Sequence, residues 1–309
     1  MKDRKTRRYP ILMSVAILAG LGLILAAAGF LWMTFMPGNF LSLAANRFGV
    51  LPVEGVITES KDIVCDLIRF KKDDAIKAVI LRINSPGGAV GPTQEICTEI
   101  KKLAALKPVV ASLGAVAASG GYYIAAPARV IVANPGTITG SIGVLMQFMR
   151  VEDLLNKIGI QMEVLKAGEY KDMGSPHRKL TEKERQLIQD LMNDVRGQFV
   201  AEVVRGRNMP AQKVNEIADG RIFSGERAKE LGLVDILGSL EDAVNSAKEL
   251  TGLKGEVDLV YPEKKGLGIF DLLGAKMLQQ VARLLSSHTF PKISYLWTGL
   301  PGSILSENY

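Results

Sequence analysis

Gly114-Ala115-Val116-Ala117-Ala118-Ser119-Gly120-Gly121-Tyr122 is the stretch around which the chain is organised. The apolar run 109–113 before it predicts a short buried strand, and residues 122–126 after it predict a compact helix. Between them stand residues with almost no side chain, bearing one hydroxyl, that of Ser119. Such a run lets a second backbone, or a substrate, come very close. A serine where a helix begins also sits among free N–H groups at the positive end of the dipole. These residues alone leave two readings open: a nucleophile held at a bend, or a tight packing contact.

Outward from this stretch, over residues 50–262, short apolar runs alternate with helical segments, the pattern of an α/β domain. Strands are expected at 50–57, 78–83, 109–113, 129–133, 161–165 and 257–260. Helices are expected at 60–71, 93–106, 151–158, 211–218, 225–231 and 240–250. Thr181 and Glu184 have the spacing of a capping box and open a long helix to Arg207, with Leu187, Leu191, Val195 and Phe199 on one face. No internal repeat of fixed period is present. Beyond Pro262 the composition changes: Phe270, Leu273, Met277, Val281 and Leu284 recur at helical spacing after Lys264-Lys265. That stripe reads as core or a subunit contact ahead of a membrane-surface helix, because its polar face is not strongly basic. The expected plan is a basic tail (1–10), an anchor (11–36), a linker (37–49), the α/β domain (50–262) and a C-terminal amphipathic segment (263–309).

The 309 residues carry a net charge of +6, of which the first ten residues hold +4. The remainder is nearly neutral, so there is no case for nucleic-acid binding. Residues 11–35 are 25 consecutive uncharged positions, with only Ser14 and Thr34 strongly polar. This run is long enough to span a bilayer with some tilt. Trp32 lies near its far end, and Met36-Pro37-Gly38-Asn39 breaks the helix. The basic residues in front would stay in the cytoplasm, leaving the bulk of the chain on the other side. A cleaved signal peptide is the alternative. Cys65 and Cys97 fall on apolar positions of expected helices and read as buried free thiols; that compartment would also permit a disulfide. Neither cysteine has metal-ligand spacing with a histidine, so no zinc or other metal is expected.

A serine nucleophile needs a base for its proton and donors for an oxyanion. Histidine is scarce: His177 lies in a polar loop and His288 in the tail. A lysine can serve if burial keeps it neutral, and Lys166 and Lys171 stand out because an expected strand leads into their segment. Spacing alone does not choose between them. Gly87-Gly88, past a buried strand, is a turn or an oxyanion site, and lacks the spacing of a dinucleotide fingerprint. Thr139-Gly140-Ser141-Ile142-Gly143 is a polar turn, or a set of hydroxyls able to hold a lysine amine.

Five motifs in order resemble the signal peptide peptidase A (protease IV) family. They are Leu81-Arg82-Ile83-Asn84-Ser85-Pro86-Gly87-Gly88, Ala117-Ala118-Ser119-Gly120-Gly121-Tyr122-Tyr123, the Thr139–Gly143 turn, Gly168-Glu169-Tyr170-Lys171-Asp172-Met173-Gly174-Ser175-Pro176, and Gly220-Arg221-Ile222-Phe223-Ser224-Gly225 with the following Ala228-Lys229-Glu230-Leu231-Gly232-Leu233-Val234-Asp235. The resemblance covers roughly 50–250 and fades after Pro262. It implies a Clp-protease/crotonase-like fold of repeated β-β-α units, preceded by one N-terminal transmembrane helix. By motif position, Ser119 is the nucleophile, Lys171 and not Lys166 the general base, and Ser141 the residue that orients Lys171. The oxyanion hole falls to the backbone N–H of Gly87, with Gly120 added from its position beside Ser119. The resemblance further implies a serine endopeptidase without cofactor that degrades cleaved signal peptides and other membrane-associated peptides. It also implies a ring- or dome-shaped homo-oligomer in the bacterial cytoplasmic membrane, with an extracytoplasmic catalytic domain. Competing readings are a silent scaffold on the same fold, an acyl-CoA enzyme, and a membrane protease of the NfeD type. The intact serines and lysine, the anchor and the single span weigh against these in turn.

Overall fold

The computed structural model describes residues 9–35, 46–263 and 293–298. The chain divides into two units, one up to Ala45 and one from Asn46, each taken here by itself. The first holds α1 (Tyr9–Phe35), a helix of 27 residues. Where its side chains are described, large apolar groups such as Leu18, Leu21, Leu25 and Phe30 are exposed. Among the described residues no helix is long and apolar enough to cross a membrane.

The second unit runs β1 (Arg47–Glu54), α2 (Lys61–Lys72), β2 (Ile76–Ser85), β3 (Gly87–Ala89), α3 (Val90–Ala104), β4 (Val109–Ala118), α4 (Gly120–Ala125), β5 (Val130–Ala133) and β6 (Ile138–Gly140). It continues with β7 (Leu145–Met146), α5 (Glu152–Lys157), α6 (Glu182–Arg207), α7 (Ala211–Ile217), β8 (Ile222–Ser224), α8 (Gly225–Leu231), β9 (Ile236–Leu237), α9 (Leu240–Thr251), β10 (Asp258–Val260) and β11 (Ile293–Leu296). The main sheet has the order β10-β1-β2-β4-β5-β9, and every neighbouring pair along it is parallel. Such a sheet is covered on both faces, which explains why its strands read as unbroken apolar runs. Alternate side chains point opposite ways. Leu51, Val53, Val79, Leu81 and Ile83 join the larger core with Ile96, Cys97, Ile100 and Leu103 of α3. Phe48, Val50, Ala78 and Ile80 meet Ala243, Val244 and Ala247 of α9 on the other face. The α3 positions repeat at helical spacing, giving one apolar stripe.

Two further pairings shape one end of the sheet. β6 continues the ladder beside the end of β4, pairing Ala118 with Gly140, and β8 closes it antiparallel. A separate three-stranded sheet has the order β3-β11-β7, with β11 antiparallel to both neighbours.

Four expectations need correction. The strand expected at 109–113 runs on to Ala118, because its small residues pair with β6, so the bend shrinks to Ser119 itself. Residues 161–165 form no strand: they are exposed and, among the described residues, have no neighbouring strand to complete a ladder. On α6 the buried stripe begins at Ile188, and Leu187 and Leu191 face solvent, while Val195 and Phe199 are buried as expected. Cys65 is exposed on α2; Cys97 is buried, and both are free. The apolar stripe at 270–284 lies outside the described residues.

Candidate active site

β4 delivers Ser119 to the end of the sheet. The residue adopts φ 53° and ψ −117°, a conformation that L side chains rarely take. Holding it there costs about 1–3 kcal/mol, and such strain collects where a side chain must be aimed. The surroundings over-determine it: Ser119 N–H donates to Gly140 O at 2.8 Å, and Ser119 O accepts from Tyr123 N–H at 2.8 Å. Gly121 permits the turn to pack, since a Cβ there would lie 2.6 Å from Ser85 O.

Ser141 follows β6 just as Ser119 follows β4, and also has positive φ, 51°. Its N–H is held by Arg221 O at 2.8 Å. Because Ala118 and Gly140 are paired, the two serines leave neighbouring strand ends together. Both are nearly fully buried, Ser119 at 2% and Ser141 at 7% exposure. Both line one cavity of about 310 Å³, with Arg196, Asp219, Leu296 and Trp297 among its walls. Thr139 contributes no free hydroxyl, because its Oγ1 donates to Ala117 O at 2.7 Å. Of the hydroxyls in that turn, only Ser141 faces the cavity.

The paired glycines lie under β11, whose Leu296 and following Trp297 line the cavity. Gly87 has φ +97°, and a Cβ there would lie 2.0 Å from Tyr295 O and 2.5 Å from Gly120 N. Gly87 therefore packs directly on the Tyr295 carbonyl, with the backbone nitrogen of Gly120 beside it. The Gly87 N–H itself donates to Ser85 Oγ at 3.1 Å. Gly88 is pressed on Ile57, whose oxygen would be 2.0 Å from an added Cβ. Ile57 N–H donates to Gly87 O and Ala89 N–H to Ile57 O, both at 2.8 Å, which pins β3 in place.

Sequence reasoning missed what lies in this cleft. β11 runs between β3 and β7, with Tyr295 opposite Gly88 and Leu296 opposite Gly87. Trp297 N–H donates to Pro86 O at 2.8 Å. The Tyr295 side chain is fully buried, its hydroxyl donating to Val195 O at 3.0 Å. Its ring stacks on Tyr123 at 5.0 Å and tilts against Phe199 at 4.8 Å. The alternation Ile293-Ser294-Tyr295-Leu296 carried a strand signal, but a four-residue run after a long break gave no hint of its partners.

Lys171 is not part of this cavity. It lies exposed in the turn-rich segment before α6, its N–H donating to Gly168 O at 3.3 Å. Among the described residues no hydrogen bond joins it to Ser119 or Ser141. Lys166 is engaged by Glu169 O and Asp172. His177 contacts Ser175 and does not line the cavity, and His288 lies outside the described residues. Burial pushes the Cys97 thiol up to about 12, so it is no competing nucleophile near neutral pH. Among the described residues no group of three or more His, Cys, Asp or Glu side chains is placed to hold a metal ion.

Comparison with known proteins agrees with this architecture. Residues 101–254 match the model of peptidase family S49, and residues 42–136 match that of Clp protease. A protein of Synechocystis sp. provisionally named a protease is 43% identical over 229 residues, covering 73% of this chain and 83% of that protein. A protein of Enterococcus faecium provisionally named signal peptide peptidase SppA is 41% identical, over 61% of this chain and 55% of its own length. Protease 4 of Salmonella typhi is 40% identical over 59% of this chain, which spans only 29% of that larger protein. With a strained serine at a strand end facing a cavity, and with these relatives, the chain belongs to peptidase family S49, a family of serine peptidases.

Proposed function

We propose that the chain is a membrane-anchored serine endopeptidase using Ser119 and Lys171, acting on cleaved signal peptides and other membrane-associated peptides. The observation that carries this reading is β11: an extended strand of the chain lies in the cleft, with its Tyr295 carbonyl against Gly87. A peptide substrate bound along the same path presents a carbonyl to the Ser119 wall of the cavity. Ser119 Oγ attacks that carbonyl while Lys171 Nζ accepts the hydroxyl proton. The oxyanion rests on the backbone N–H groups of Gly87, which turns from Ser85 Oγ to the substrate, and Gly120. Lys171 passes the proton to the departing amine as the peptide bond breaks, leaving an ester on Ser119. Water then attacks the ester, giving a proton to Lys171, and Ser119 leaves with that proton restored. Ser141, beside Ser119, is placed to orient the incoming amine of Lys171.

Lys171 stands outside the Ser119 cavity of its own copy, so we assign its arrival to assembly: the lysine segment of one copy serves the serine of a neighbour in a homo-oligomer. Support comes from exposed apolar side chains flanking that segment, among them Met149, Leu154, Ile158, Met162 and Leu165. Exposed large apolar side chains that gather into a patch mark contact sites. The anchor reading rests on the uncharged run 11–35 and on the apolar exposure of α1, which is expected of a lipid-facing helix. The basic residues before it favour an N-terminus in the cytoplasm of a bacterial cell, with the peptidase beyond its inner membrane, by the positive-inside rule.

The test is peptide hydrolysis by the full-length chain in detergent, with Ser119→Ala and Lys171→Met as variants. Loss of activity in both, at unchanged melting temperature, is expected. Full turnover by either folded variant would sink the dyad.

A further inference from the structure

Lys171 has a carboxylate as its sequence neighbour, Asp172. A carboxylate that pairs with a lysine ammonium favours the charged form and so works against a lysine base. Here Asp172 is engaged elsewhere. Arg178 donates from Nε to Asp172 Oδ2 at 2.7 Å and from Nη2 to Oδ1 at 2.8 Å. Lys166 Nζ adds a bond to Oδ1 at 2.5 Å. The same guanidinium reaches Glu184, from Nη1 to Oε2 at 2.8 Å and from Nη2 to Oε1 at 2.5 Å. Glu184 is the carboxylate that closes the capping box, taking the Thr181 N–H at 2.8 Å. Two carboxylates, one in the lysine segment and one in the first turn of α6, thus share a single planar fork, a geometry that lysine could not reproduce.

We propose that Arg178 is a positioning residue for Lys171: it ties the lysine segment to the start of α6 and keeps the Asp172 carboxylate occupied, so that Lys171 remains free to take a proton. The inference rests on the reading of Lys171 as the base. Several other charged groups nearby are paired among themselves. Lys183 of α6 meets Glu169 at 3.2 Å and stands over the Tyr170 ring at 5.2 Å. Arg150 and Glu152, beside Val151 whose N–H donates to Pro176 O, lie 3.8 Å apart. His177 is held by Ser175.

The test uses the full-length chain in detergent and the pH dependence of kcat/KM on an apolar fluorogenic peptide. Arg178→Gln removes two of the three bonds that hold Asp172 and leaves that of Lys166, and the rising limb of activity moves to higher pH by about one unit, a loss of roughly tenfold on that limb. Adding Asp172→Asn to Arg178→Gln removes the freed carboxylate and brings the limb back. Asp172→Asn alone leaves Arg178 and Lys166 with less counter-charge, so the limb moves to lower pH. A loss in Arg178→Gln that is uniform with pH, or that Asp172→Asn fails to recover, overturns the positioning role and leaves the dyad standing. Full activity in Lys171→Met removes the base, and this inference falls with it. If Arg178→Gln does not fold, Asp172→Asn decides: a limb that stays put or rises overturns the proposal.

Discussion

Ser119 and Gly87 are the two residues on which the geometry of the cleft turns. The serine was singled out by its small neighbours, but its neighbourhood depends on pairing that no local pattern reveals. Ala118 meets Gly140 across β4 and β6, and that places Ser119 beside Ser141 although 22 positions separate them in the chain. Gly87 read equally as a turn or an oxyanion wall; its φ of +97° and the crowding at Tyr295 O and Gly120 N show that no side chain fits there. Gly87→Ala is therefore expected to abolish peptide hydrolysis and to displace β11 from the cleft, readable as loss of tyrosine protection in hydrogen–deuterium exchange or fluorescence. Near wild-type kcat/KM in Gly87→Ala would contradict the cleft as drawn. Lys171 could be chosen over Lys166 by resemblance only, since both lie in one charged segment; Lys166 proves to be occupied by Asp172.

Among the elements, α6 was the most legible and β11 the least. The Thr181 and Glu184 spacing predicted the start of α6, and both halves of the capping box are present. Thr181→Ala removes the acceptor for Glu184 N–H and should cost about 1 kcal/mol in denaturant unfolding. Hydrogen bonds from Arg178 hold the Glu184 carboxyl down at about 2, and Asp172 is lowered by the same guanidinium. A lowered carboxyl adds stability that is present above its ordinary value of 4.5 and is lost as pH falls through the folded value. Unfolding midpoints should thus drop between about pH 4.5 and 2, and Arg178→Gln should flatten that drop. An identical slope in the variant would mean that other carboxylates carry the acid sensitivity. The misread strand at 161–165 and the missed strand β11 have one cause: a strand exists through its partners. The first has none among the described residues, and the second finds two at a distance of more than 140 positions.

At the scale of the whole molecule, the core on both faces of the sheet came only with the structure; the α/β class followed from apolar strands alternating with helical segments. The order of the strands, and the meeting of β3, β7 and β11 at one cleft, did not. Deleting residues 1–35 should move the protein from the membrane fraction to the soluble fraction on cell fractionation. Retention in the membrane would point to another contact surface, such as the stripe at 270–284. Lys171 outside the cavity is where the single chain and the dyad part company, and assembly is the proposed remedy. The most direct measurement is peptide hydrolysis by full-length wild type, Ser119→Ala, Lys171→Met and a co-assembled mixture of the two variants. The expected result is no turnover from either variant alone and partial recovery in the mixture, where one copy supplies Ser119 and another Lys171. Turnover at the wild-type rate by either variant alone would contradict the account.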